Sequence, residues 1–228
     1  MNINKHLILL FSVLFFLFAV SVSSGCFRKN ESDVKSVVRN ELDQLKNLDS
    51  ETTQKYIPYT ELFPDATENT DLTDEITETF SLFFRKFNYK ISDVIVGTAN
   101  HSATVSVKLT TIDSKVLARD FKAELLRTQI TESAQAQKGN IKDSSRSLEA
   151  HYLILNHLLN TNDYDTAETD CNIQLVNTGN DKKEKWKIQR TNSLEDDLVG
   201  GLIADLADPD ILSPEDTRYL LERVHYEK

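Results

Sequence analysis

The sequence predicts an α+β fold, an antiparallel sheet of two hairpins packed against amphipathic helices. Three observations carry this expectation. Apolar residues recur at spacings of three and four along several segments, the pattern of one buried face on an α-helix. Apolar and polar residues alternate strictly over residues 103–110 and again over 169–175, each run paired with a second β-rich stretch. The segments follow in the order helix, helix, hairpin, helices, hairpin, helix, which suits an antiparallel sheet against a helical layer.

Taken in order, the first helix starts at a Ser32 cap and carries Val34, Val37, Val38, Leu42, Leu45 and Leu48 on one face. Residues 49–69 break that pattern with Pro58 and Pro64. Tyr56, Ile57, Tyr59, Leu62 and Phe63 lie in this stretch and either pack a long connection onto the core or line a ligand groove. Residues 71–74 open a second helix with carboxylates at its positive end. Its stripe of Ile76, Phe80, Phe83, Phe84 and Phe87 reads as core rather than as a cofactor box.

Strands over 89–96 and 103–110, joined by a turn at 97–101, form the first hairpin. Ala103, Val105, Val107 and Leu109 face the core, and Thr104, Ser106, Lys108 and Thr110 face water. Asp113 or Ser114 caps a third helix bearing Leu117, Phe121, Leu125 and Thr128. The polar stretch 131–147 is either the frayed end of that helix or a solvated loop.

Leu148, Tyr152, Leu155 and Leu159 mark a fourth helix that ends within 160–165. The second hairpin spans 166–190, with Thr169, Cys171, Ile173 and Leu175 on one strand, a turn around Gly179, and Trp186 and Ile188 on the other. Residues 194–206 are amphipathic but contain Gly200 and Gly201. Two glycines cost a helix ~2 kcal/mol relative to alanine, so the helix is broken there or a neighbour approaches closely. Ser213 and Pro214 take the cap and first positions of a terminal helix. The expected organisation is a leader at 1–25, a tether at 26–33, one α+β domain at 34–208 and a helical extension at 209–228.

The leader has a polar head with Lys5 and His6, an apolar run over residues 7–20 interrupted by Ser12 alone, and small residues before Cys26. This is the grammar of a secretory signal. The tail Val22, Ser23, Ser24, Gly25, Cys26 resembles a bacterial lipoprotein signal, whose lipobox precedes a cysteine that receives a diacylglyceryl group. The family usually has Leu three places before that cysteine; here Ser23 stands there and Val22 one place further back. The resemblance implies lipid attachment at Cys26 and display on the extracytoplasmic face of the cell membrane. Two other readings stay open: ordinary cleavage after Gly25, and retention of the leader as an anchor.

Without the leader the chain has 203 residues, with 25 basic and 36 acidic side chains, a net charge of −11. Such a balance argues against nucleic acid and against anionic lipid headgroups as partners, since both need a cationic face, so that attachment to a membrane would come from lipid and not from charge. No second apolar run approaches the ~20 residues of a membrane-spanning helix. The only cysteines are Cys26 and Cys171. They form one disulfide, or, with Cys26 acylated, Cys171 is an inert thiol on the apolar side of its strand. Asp170 beside it disfavours a thiolate nucleophile.

No nucleophile elbow, phosphate-binding glycine loop, paired-cysteine or zinc-helix motif occurs. His151 and His157 lie six residues apart and point to different sides of a helix, while His101 and His225 read as surface residues. Asn162, Asp163 and Asp165 lack the glycine and distal glutamate of a calcium loop and read as a solvated connection. Glu195, Asp196 and Asp197 suit a helix start. No catalytic, cofactor-binding or metal-binding residue is assigned.

The phenylalanine-rich helix, residues 89–96, the 103–109 strand entering Asp113, and the later Trp186, Lys187, Ile188 strand together are similar to NTF2-like or cystatin-like domains of lipoproteins exported by low-GC Gram-positive bacteria. That resemblance implies a cone-shaped cavity able to bind small molecules or mediate dimers. The expected role is a lipid-anchored binding or interaction module with an unidentified protein partner or small ligand. The alternatives are a cavity enzyme, isomerase or hydrolase, and an immunity or inhibitor lipoprotein that binds a secreted protein.

Overall fold

Local capping signals account for most helix boundaries in the computed structural model, which describes residues 30–56, 62–63, 66, 73–97, 101–136, 147–179 and 184–218. The leader, Cys26, Ile57, Pro58, Tyr59, Pro64, Gly139 and His225 lie outside the described residues. Helix α1 covers residues 30–46 and so begins ahead of the expected Ser32 cap. It ends in a Schellman arrangement, with Leu48 N–H donating to the Leu45 carbonyl (3.0 Å) and Asp49 N–H to the Gln44 carbonyl (2.9 Å). Leu48 holds the left-handed position at φ 60°, where glycine is usual, and is exposed instead of continuing the apolar stripe.

Helix α2, Ser50–Tyr56, corrects the expectation of an irregular connection beginning at residue 49. Asp49 caps it: its carboxylate accepts from Thr52 N–H at 2.9 Å and from the Thr52 hydroxyl at 2.7 Å. These bonds favour the ionised form and hold the Asp49 carboxyl below its usual range. The two prolines and the aromatics downstream obscured this short cap signal. Helix α3, Thr73–Phe84, opens with Asp74 and Glu75 at its positive end.

Strand β1, Asn88–Val96, pairs with β2, Ser102–Ile112, through a turn closed by Gly97 N–H donating to the Ser102 carbonyl at 2.8 Å. Helix α4, Ser114–Ala136, is capped by Asp113, which accepts from Val116 N–H at 3.2 Å. It absorbs residues 131–136 of the polar stretch; Thr128 and Thr131 return their hydroxyls to the Glu124 and Arg127 carbonyls. Ser147 caps α5, Leu148–Thr161. Strands β3, Thr166–Asn177, and β4, Trp186–Ile188, complete an antiparallel sheet in the order β1-β2-β3-β4. Two consecutive helices between β2 and β3 return the chain to the adjacent, antiparallel position. Helices α6, Asn192–Leu198, and α7, Leu202–Ala207, are followed by α8 at 214–218. Ser213 and Asp216 cap α8 reciprocally: Asp216 N–H donates to Ser213 Oγ (3.1 Å) and Ser213 N–H to the Asp216 carboxylate (3.2 Å).

The fold divides into two units built from interleaved segments. Unit 1 takes residues 30–40, 91–106 and 172–189 of the folded part, and unit 2 takes 41–90, 107–171 and the chain from 190 onward. In unit 1, Val34, Val38, Val96, Ala103, Val105, Ile173, Leu175 and Trp186 are buried. The β3–β4 register is Leu175 with Ile188, Val176 with Lys187 and Asn177 with Trp186.

In unit 2, helix α5 packs on α3 and α4, the strand residues Val107, Leu109, Ile112 and Cys171 are buried, and aromatic side chains form a cluster. Phe63 stacks on Phe121 at 5.1 Å and meets the His151 ring at 4.9 Å and the Tyr152 ring edge-on at 5.3 Å. Phe80, Phe84 and Phe87 continue it through one tilted and two edge-on contacts. The phenylalanine stripe is core. The described part of the 57–72 connection is held there by Leu62 and Phe63, both buried.

Candidate functional site

Cys26, the residue expected to carry lipid, lies outside the described residues, so the described chemistry is that of the folded units. Its densest part is in unit 2, where α6 follows β4 closely. Thr191 caps α6 by accepting from Leu194 N–H at 3.1 Å, and this fixes the directions of Glu195, Asp196 and Asp197.

Each of the three carboxylates has a different partner. Glu195 is only 4% exposed and pairs with the Arg190 guanidinium. Asp196 reaches forward across the glycine break and accepts from Ile203 N–H (2.9 Å) and Ala204 N–H (3.2 Å). It thereby caps α7, whose own cap position is Gly201 and has no side chain to offer. Asp196→Ala is expected to cost about 1 kcal/mol in denaturant unfolding, with Asp196→Asn losing less. Equal stability of all three forms would show that water satisfies those N–H groups. Asp197 accepts from the Cys171 thiol. Burial raises the Asp197 carboxyl above its usual range, the thiol partly offsets this, and Asp196 adds to the rise.

Cys171 is 2% exposed and a free thiol. Burial, then the Asp197 charge, pushes its pKa up to about 12. A thiolate is therefore suppressed, as expected of an inert cysteine and the reverse of a nucleophile's setting. The sign for stability follows. The native thiol keeps its proton where the unfolded one loses it, so Cys171 contributes stability at neutral pH that declines as pH rises from about 9 to 12. Alkaline unfolding of Cys171→Ala should show a shallower fall in stability across that window than wild type. Identical slopes would refute the assignment.

Tyr56, at the end of α2, is 2% exposed and its hydroxyl has no hydrogen-bond partner in good geometry among the described residues. The Lys55 ammonium lies 4.6 Å from the Tyr56 ring centroid and pairs with Glu41 at 2.6 Å. Burial raises the phenol's pKa, opposed by Lys55. Sequence reading missed this grouping, because Glu41 comes from α1 and Lys55 and Tyr56 from α2.

The remaining candidates stand apart. His151 is buried in the aromatic cluster while His157, on another face of α5, is exposed, so the two do not converge. Asp163 pairs with Lys86, Asp165 presents its backbone carbonyl to Asp113 N–H, and Asn162 donates to the Tyr164 hydroxyl. That hydroxyl donates in turn to Asp120 at 3.2 Å; burial is the main cause that lifts its pKa to about 12. Among the described residues no group of three or more His, Cys, Asp or Glu side chains converges to hold a metal ion. No helix among them is long and apolar enough to cross a membrane.

Compared with protein-family models, with curated proteins and with solved structures, the chain matches none.

Proposed function

We propose that this protein is a lipid-anchored extracytoplasmic binding or interaction module, attached to the cell membrane through a diacylglyceryl group on Cys26. The observation that carries this reading is the stretch 2–26, a charged head, an apolar run and small residues ending on a cysteine. The start of α1 supports it. Residue 30 is four chain steps from Cys26, an interval of at most about 14 Å, so the first helix is held at the bilayer surface. The finer architecture proposed is NTF2-like or cystatin-like, which a four-stranded antiparallel sheet packed against helices supports. The roles of Glu195, Asp196 and Asp197 favour binding over catalysis at α6, because each carboxylate is committed to a bond that holds the fold. Incorporation of a fatty-acid probe into the wild-type chain, and its loss in Cys26→Ala, tests the reading.

A further inference from the structure

The net charge of −11 is unevenly divided between the two units. The segments of unit 1 from Cys26 onward, 26–40, 91–106 and 172–189, hold eight Lys and Arg against five Asp and Glu, a net of +3. The rest of the mature chain holds 17 against 31, a net of −14. Averaging over the whole chain hides a cationic unit.

That cationic unit is the one the N-terminal segment enters. Half of its eight basic residues lie in the β3–β4 hairpin, where Lys185 and Lys187 are exposed and have no ion-pair partner among the described residues. The nearest carboxylate in sequence, Glu184, accepts from Trp186 Nε1 at 3.1 Å. The hairpin is closed at its base by hydrogen bonds. Thr178 N–H donates to the Lys185 carbonyl (2.8 Å), and Lys185 N–H to Asn177 Oδ1 (3.0 Å).

Asn177 N–H also donates to the His101 carbonyl at 2.9 Å, which brings the β1–β2 turn and the β3–β4 turn to the same end of the sheet. Strand alternation then puts Lys187 beside its partner Val176 on the outward face, opposite buried Leu175 and Trp186. Two large apolar side chains exposed in unit 1, Ile95 at 60% and Val176 at 37%, lie at this same end. Lysines around exposed aliphatic side chains are what a headgroup layer of anionic lipid accommodates, ammonium groups at the phosphates and methyl groups just below.

We propose that the turn end of unit 1, centred on Lys185, Lys187, Val176 and Ile95, is a docking surface for an anionic bilayer. It acts as a second attachment beside the acyl group. The orientation rests on the proposed lipid anchor at Cys26, since the interval of at most about 14 Å to α1 keeps unit 1 at the membrane. The charge preference itself does not need the anchor.

The test separates the two. The mature chain 26–228 carrying Cys26→Ser, which bears no acyl group, is mixed with vesicles of phosphatidylcholine with or without phosphatidylglycerol. Trp186, the chain's single tryptophan, reports proximity by energy transfer to a headgroup dansyl label. Binding is expected for the anionic vesicles at low salt, with loss at high salt and a drop of about tenfold in Lys185→Gln/Lys187→Gln. Both positions are exposed, and unchanged thermal unfolding of the double variant verifies its fold. Equal binding to neutral vesicles, or no difference between the variant and its parent, overturns the proposal. So does binding to a soluble polyphosphate without binding to vesicles. Failure of the wild-type chain to take up a fatty-acid probe sinks the anchor reading alone and leaves the vesicle result standing.

Discussion

Cys26→Ala is expected to abolish fatty-acid labelling and to release or misprocess the protein. The magnitude follows from the chemistry of the anchor. A single acyl chain holds a protein only marginally, whereas two, at ~0.8 kcal/mol per buried methylene, hold it stably. Removing both at once leaves only the far weaker contribution of surface charge. Fractionation of cells producing the variant should therefore move most of the protein out of the membrane pellet or trap it with its leader uncleaved. Ser23→Leu, which restores the residue usual in the family's lipobox, serves as the control and should keep its label. Labelling of Cys26→Ala at the wild-type level would end the lipoprotein reading.

Gly200→Ala is expected to destabilise the fold by about 3 kcal/mol in denaturant unfolding, the sum of two costs. Gly200 sits at φ 68°, in the left-handed region. A Cβ there would lie 2.2 Å from Thr111 Oγ1 and 3.1 Å from Thr111 Cβ, so the side chain of β2 occupies the space that alanine needs. Gly201 provides the comparison. Its φ of 90° carries the backbone cost, but an added Cβ would meet only ordinary neighbours, Ser114 Oγ at 3.7 Å and Asp205 Oδ2 at 3.9 Å. Gly201→Ala should cost only the backbone share of about 1–2 kcal/mol. Thr111→Ala in the Gly200→Ala background should recover the steric share and no more. A loss below about 1 kcal/mol for Gly200→Ala would mean that the α6–α7 break relaxes freely.

The break between α6 and α7 also shows how far sequence reading reaches. Two consecutive glycines leave two explanations open, a broken helix or a close neighbour, and both hold. The helix breaks because both glycines take positive φ, and Thr111, far away in the chain, closes over Gly200. The first explanation is local and legible; the second needs the register of β2 against the break.

The same division runs through the molecule. Alternation in 103–110 and 169–175 marked the two long strands, the phenylalanine stripe marked a buried helix face, and Asp113, Ser213 and Pro214 marked helix starts. These signals are legible because each depends on the next three or four residues. The start of α1 and the existence of α2 were misjudged although their signals are also local. Asp49 with Thr52 is a sound cap, but proline and aromatic residues downstream outweighed it. Leu48 fits the apolar periodicity and yet sits outside the helix, because a Schellman turn needs one residue in the left-handed region.

By itself, then, the sequence determined the mixed helix-and-sheet class, the two hairpins and the apolar faces that form the core. All of these are set by short-range spacing. Only the tertiary structure decided that the Cys171 thiol donates a hydrogen bond to Asp197, that Asp196 caps a helix it does not belong to, and that the unit entered from the N-terminus carries a net positive charge in an acidic chain. Each of these joins residues brought together by folding, and no periodicity along the chain encodes which distant carboxylate or lysine will be the neighbour.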